Sequence, residues 1–149
     1  MDPLTWENWF QDKDVRSIVW GVYIRFLGFV YMIALSSLWN QIIPIAGSRG
    51  YEPVQMKLRK IKEDFGSWRF VYFPTLLWVD SSDLALRNFL MIGIFSSAMV
   101  VLGVLSPLFL AIAWLIWQSL HIAAFLIFPW DALLSEAGFQ ICLQNDQIL

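Results

Sequence analysis

The chain has 149 residues, of which 58% are hydrophobic, 17% aromatic and 15% charged, with a formal net charge of −2 and a mean hydropathy of +0.60. Soluble domains are typically about 45–50% apolar and about 25% charged, so this composition points to a membrane protein, and the small net charge excludes a nucleic-acid footprint. A single cysteine, Cys142, excludes an intrachain disulfide, and with His121 as the sole histidine a His/Cys zinc cluster cannot be assembled. No metal or cofactor is expected.

The N-terminal stretch "MDPLTWENWFQDKDVR" carries four acids and two basic residues, unlike the basic start of a cleavable signal peptide. Residues 6–24 mix Trp6, Trp9, Phe10 and Trp20 with acids and bases. That pattern predicts an interfacial helix, because Trp and Tyr concentrate at membrane–water boundaries. Arg25 follows. Its long stem can lie along apolar surface while the guanidinium reaches the headgroups.

The first span is expected at 26–45, "FLGFVYMIALSSLWNQIIPI". It meets the roughly 20 apolar residues that a bilayer crossing needs. Ser37, Asn40 and Gln41 fall at i, i+3 and i+4 of that expected helix and form one polar stripe. Such a stripe serves interhelical hydrogen bonding, the simpler reading, or lines a cavity.

Residues 46–88 form the main polar segment. "EPVQMKLRKIKEDF" predicts an amphipathic helix over 53–65, with Met56, Leu58, Ile61 and Phe65 between charges and Gly66 ending it. An aromatic patch follows, and Ser81 or Ser82 can cap the next helix. This segment holds seven basic residues against two ahead of Arg25. The positive-inside rule therefore places it in the cytoplasm.

Further spans are expected at 89–105 and 108–128, joined as a tight hairpin at Ser106–Pro107. Gly93 and Ser97 make a small-xxx-small pair suited to close helix packing. Gln118 and His121 lie one turn apart beside Trp114 and Trp117. An intramembrane histidine is a candidate for proton relay or headgroup binding, although a hydrogen bond to a neighbouring helix explains it with fewer assumptions. Over 129–139, Pro129 suits the first turn of an amphipathic helix or fourth span, and Asp131 favours the positive end of its dipole. Asp131 and Glu136 point about 140° apart around a helix, so they do not form an evident acid–base dyad. The fold class expected is an all-α polytopic membrane bundle, one membrane domain over 1–149.

Three stretches resemble the N-terminal membrane region of the lipase maturation factor family: "RFLGFVYMIALSSLWNQIIPIAGSRGYEP" (25–53), "FPTLLWVDSSDLALRN" (73–88) and "FLIFPWDALLSEAGF" (125–139). Their order and spacing match as well. Arg25, Gly28, Tyr31, Gln41, Gly47, Ser48, Thr75, Ser82, Asp83, Asp131, Glu136 and Gly138 are among the positions that fit. Pro129 stands where a Gln is expected, and "QICLQNDQIL" replaces an apolar continuation. The resemblance implies a multi-span protein of the endoplasmic reticulum membrane, or of the inner membrane if bacterial. It further implies a chaperone-like role in maturing secreted lipases and a location for Asp131 and Glu136 inside the bundle. It covers only the N-terminal part of a longer architecture, so a truncated chain is expected.

The candidate functional residues are Arg25, Asn40, Gln41, Gln118, His121, Asp131 and Glu136. The expected partners are the lipid bilayer, a client lipase or other exported protein, and further spans or a second copy. Two other readings stand beside the maturation factor. One is a membrane enzyme distantly similar to the membrane domain of vitamin-K-dependent carboxylases, with His121, Asp131 and Glu136 as acid–base groups. The other is a non-functional fragment.

Overall fold

The structure, a computed structural model, describes residues 13–124 and 129–144, with side chains described over 15–122 and 132–141. Every regular element among the described residues is helical. Four longer helices form the body: α1 (Lys13–Leu38), α5 (Asp83–Leu102), α6 (Ser106–Ala124) and α7 (Pro129–Gln144). Between α1 and α5 lie α2 (Ile42–Ala46), the amphipathic α3 (Val54–Phe65), a 3-10 turn at Gly66–Trp68, α4 (Arg69–Tyr72) and a second 3-10 turn at Leu76–Trp78.

Two helices, α1 over Val15–Leu38 and α5 over Asp83–Leu102, are long and apolar enough to cross a bilayer. The third expected span is a shorter apolar helix over Ser106–Ile122, so among the described residues two helices meet the length requirement. Residues 125–128, which were to complete it, lie outside the described residues.

The first span differs from its expected limits in both directions. Its helix ends at Leu38, and Trp39–Gln41 form a turn before α2. Pro44 is the physical reason. It offers no N–H to the carbonyl four residues back, and its ring crowds that carbonyl, so a straight helix cannot run from 26 to 45. Ser37, Asn40 and Gln41 are consequently not one helical stripe, and all three are exposed. At the other end, residues 13–24 are continuous with the span instead of forming a separate interfacial helix; residues 6–12 lie outside the described residues.

The second span starts at Asp83, six residues before the expected 89, because Ser82 caps it by accepting the Ala85 N–H at 3.1 Å. It stops at Leu102, before the expected 105, because Gly103 takes the left-handed conformation at φ 79° and donates to the Met99 and Val100 carbonyls. The Arg25 guanidinium lies over this glycine: a Cβ there would sit 2.9 Å from Nη2. A cation at a helix C-terminus is favourable.

The core runs between these helices. Tyr31 and Leu35 of α1, Leu86, Leu90 and Val100 of α5, and Leu110 and Leu120 of α6 are all fully buried. The small residues of α5 are packing residues. A Cβ at Gly93 would meet Leu35 Cδ1 at 2.9 Å, and the Ser97 hydroxyl is turned inward to the Gly93 carbonyl at 2.8 Å. The amphipathic α3 buries Val54, Leu58 and Ile61. Met56 and Phe65, expected on that face, are exposed.

Candidate functional site

One end of the bundle gathers most of the non-helical chain. Here the 47–53 loop, α3 and the 66–82 segment close over the N-terminus of α5 and the C-terminal turns of α6. The loop is folded tightly on itself. Gly50 N–H donates to Gly47 O, Tyr51 N–H to Pro44 O and Glu52 N–H to Ile45 O, each at 2.9 Å. Asp83 then clamps it: Oδ1 accepts the Ser48 N–H at 2.7 Å and Oδ2 accepts the Ser48 hydroxyl at 2.9 Å. Asp80 holds Ser82 in the same two-point way, at 2.9 and 3.1 Å. Beside the clamp is an open depression of about 490 Å³ lined by Ile43, Pro44, Ser48, Arg49 and Asp83.

A second joint ties the 66–82 segment to α6. The Thr75 hydroxyl donates to the Ser119 carbonyl at 3.2 Å, and the Leu76 N–H donates to the Ser119 hydroxyl at 3.0 Å. Ser119 donates in turn to Leu115 O at 2.7 Å. Nearby, Lys57 of α3 donates through Nζ to the Ile122 carbonyl at 2.8 Å. A carbonyl in the last turn of a helix has no intrahelical donor, so this lysine supplies one. Burial lowers the Lys57 pKa to about 8, against a smaller raising effect of Glu52.

The third joint seats α7. Tyr31 Oη donates to the Leu134 carbonyl at 2.7 Å, and Trp114 Nε1 donates to the Ser135 carbonyl at 2.8 Å. A carbonyl has two lone pairs, so each can accept an aromatic donor besides its helical partner. Gly138 permits the approach, since a Cβ there would lie 2.6 Å from Trp114 Cδ1 and closer still to the Tyr31 hydroxyl. Trp117 completes the group edge-on to Tyr31, with centroids 6.2 Å apart.

The residues singled out from sequence are spread over the molecule. Arg25 is exposed and sits against Gly103, away from the clamp. Asn40 and Gln41 are exposed in the turn after α1. Gln118 and His121 are partly buried on α6, on the side that carries Trp114, and Gln118 Oε1 and His121 Nδ1 have no hydrogen-bond partner. Glu136 is exposed on α7. Asp131 lies in the first turn of α7, and its side chain falls outside the described residues. No hydrogen bond joins His121 to Glu136, and no group of three or more His, Cys, Asp or Glu that could hold a metal occurs among the described residues. The hydroxyls of Ser48 and Ser82 are committed to carboxylates that clamp the chain. What the arrangement does chemically is lock helices and loops in register.

Lys57, Ser119 and Trp114 were not singled out from sequence. For Lys57 a signal existed, since 54, 57, 58 and 61 share one helix face and the lysine falls among the buried positions. Ser119 and Trp114 act through partners 44 and 21 residues away, which no local pattern reveals.

Two joints link stretches that carry the family resemblance, Ser48 to Asp83 and Tyr31 to Leu134, and the Ser119 joint takes Thr75 from one of them. A sequence profile described as the lipase maturation factor transmembrane domain matches residues 19–145. The chain is similar to lipase maturation factor 1 of Homo sapiens, at 32% identity over 131 residues, covering 79% of this chain and 23% of that protein. Similarity to lipase maturation factor 2 of Homo sapiens is 33% over 129 residues, covering 79% of this chain and 18% of that protein. Lipase maturation factor 2 of Xenopus tropicalis is 29% identical over 137 residues, 83% of this chain and 18% of its own length. The chain thus spans a quarter or less of the length of these relatives. No solved structure matches it.

Proposed function

Because the chain belongs to the lipase maturation factor family, within the transmembrane domain of that family, we propose that it is the membrane scaffold of a chaperone-like factor that matures secreted lipases or other exported clients. The observation that supports this most is the use made of the shared motif residues. Tyr31, Ser48, Thr75, Asp83 and Gly138 are spent on interhelical and loop–helix joints, as a rigid scaffold requires. The compartment proposed is the endoplasmic reticulum membrane in a eukaryote or the inner membrane in a bacterium. The partner proposed is a folding lipase.

The test is deletion of the coding region in its own host, with secreted lipase activity measured per unit of lipase protein. A fall in specific activity, with lipase protein still made, is expected. Unchanged specific activity across the secreted lipases overturns the proposal.

A further inference from the structure

Outside the long apolar helices, the 66–82 segment also exposes large apolar side chains. Trp68, Phe70, Val71, Tyr72, Val79 and the adjacent Leu84 are all exposed, with Val71 at 68% and Val79 at 88%. Their rings pack on one another: Trp68 on Tyr72 and Phe70 on Trp78, at 6.5 and 5.9 Å between centroids. Soluble surfaces rarely collect so much contiguous apolar area without a partner.

Two environments are unsuitable for this segment. Water would leave these side chains solvated at a cost set by their area. The hydrocarbon core would leave an irregular backbone unsatisfied, since only continuous helices and closed barrels carry all their own hydrogen bonds. This segment is such a backbone: the single helical turn of α4 lies between two 3-10 turns, Gly66–Trp68 and Leu76–Trp78, with residues 73–75 irregular. The layer between water and hydrocarbon accommodates both, and it is where Trp and Tyr concentrate.

Its position and its charge agree. The Thr75–Ser119 joint ties the segment to the C-terminal turns of α6, and Asp80–Ser82 leads directly into the first turn of α5. The aromatic residues are therefore held where the transmembrane helices end. Arg69 lies with its guanidinium 4.4 Å from the Phe70 ring centroid and 5.2 Å from that of Trp78, and its Nη1 donates to the Gly66 carbonyl at 3.2 Å. Arg59, Lys60 and Lys62 are exposed on the neighbouring α3. A guanidinium among aromatics, beside a helix whose three exposed cations outnumber its exposed Glu63 and Asp64, complements lipid phosphate.

We infer that residues 66–82 are a membrane-interface anchor, with the aromatic side chains in the headgroup–acyl boundary and Arg69 engaging lipid phosphate. The anchor fixes the depth of this end of the bundle independently of any client.

The test uses the full chain with Cys142→Ser, carrying a nitroxide on Val71→Cys or, separately, on Val79→Cys, in vesicles of phosphatidylcholine with phosphatidylglycerol. Both positions are exposed, so neither label disturbs packing. The expected result is a label about 5–10 Å below the phosphates, with collisions with oxygen exceeding those with a water-soluble nickel chelate by roughly twofold or more. In the Arg69→Gln background the label is expected to become shallower. Preferential collision with the nickel chelate at both positions places the segment in water and overturns the inference. Low collision with both reagents means that protein covers the segment, a second copy or another chain, and overturns it too.

Discussion

Asp83 accepts both the amide and the hydroxyl of Ser48, at 2.7 and 2.9 Å, across 35 residues of sequence. One carboxylate at the first turn of a transmembrane helix therefore fixes the loop that leaves the previous one. Asp83→Ala is expected to free the 47–53 loop while leaving the helices in place, since Ser82 still caps α5. Tryptic cleavage at Arg49, in reconstituted protein, should accelerate by roughly fivefold or more as the loop opens locally. Asp83→Asn, which retains one acceptor oxygen for the Ser48 amide, should fall between. Equal cleavage of Asp83→Ala and the parent would show that the loop is held by its own turns alone.

The seat of α7 depends on the absence of a side chain at 138. Gly138→Ala places a methyl 2.6 Å from Trp114 Cδ1 and against the Tyr31 hydroxyl, an overpacking that should cost about 1–3 kcal/mol. Tyr31→Phe removes the bond to the Leu134 carbonyl, worth about 1 kcal/mol, but also withdraws the atom that the new methyl would strike. The two changes are therefore expected to be non-additive, with Gly138→Ala costing less in the Tyr31→Phe background. Denaturant unfolding of the four proteins in one detergent measures this. Strict additivity would mean that Tyr31 and Gly138 do not share the contact.

Local signals carried much of this architecture. Ser82 as a cap and Gly66 as a helix end act where they are read, whereas the hairpin corner falls at Gly103–Leu105 and Ser106–Pro107 open the next helix. The break at Trp39 was hidden because hydropathy continues to Ile45, while the effect of Pro44 reaches back a full turn. Residues 13–24 were read as interfacial because their charges interrupt the apolar run, yet a helix ignores polarity once its backbone is hydrogen-bonded. The joints were the least legible. Tyr31 meets Leu134 across 103 residues, and resemblance could mark Tyr31, Ser48, Thr75, Asp83 and Gly138 without saying what they touch. Conversely, Asn40, Gln41 and Glu136 drew notice for their polarity near apolar runs and are exposed here.

Ser119 joins three partners: it accepts from Leu76 N–H, donates to Leu115 O, and its carbonyl accepts from Thr75. Ser119→Ala removes the first two bonds and leaves the third. The loss is expected to cost about 1–2 kcal/mol, mostly through the unpaired Leu76 amide. Hydrogen exchange at Leu76 should quicken by roughly tenfold, with the α6 core amides unaffected. If the α6 amides quicken equally, Ser119 is supporting the helix and not the attachment of the aromatic segment.

Lys57 provides a pH test of how α3 is docked. Its folded pKa is about 8, below the ordinary 10.5, because burial disfavours the ammonium. With α3 undocked, the amine binds its proton up to the ordinary value. Between about 8 and 10.5 the undocked state therefore holds more protons, and docking strengthens as pH rises through that window. Below about 8 both states are charged and the burial penalty is fully present; above 10.5 both are neutral and the penalty is gone. The bond to the Ile122 carbonyl survives deprotonation, because a neutral amine still donates. Competitive acylation read by mass spectrometry should give Lys57 a reactivity midpoint near pH 8. A midpoint at 10.5 would mean that the amine is solvated, and that α3 does not lie against the end of α6.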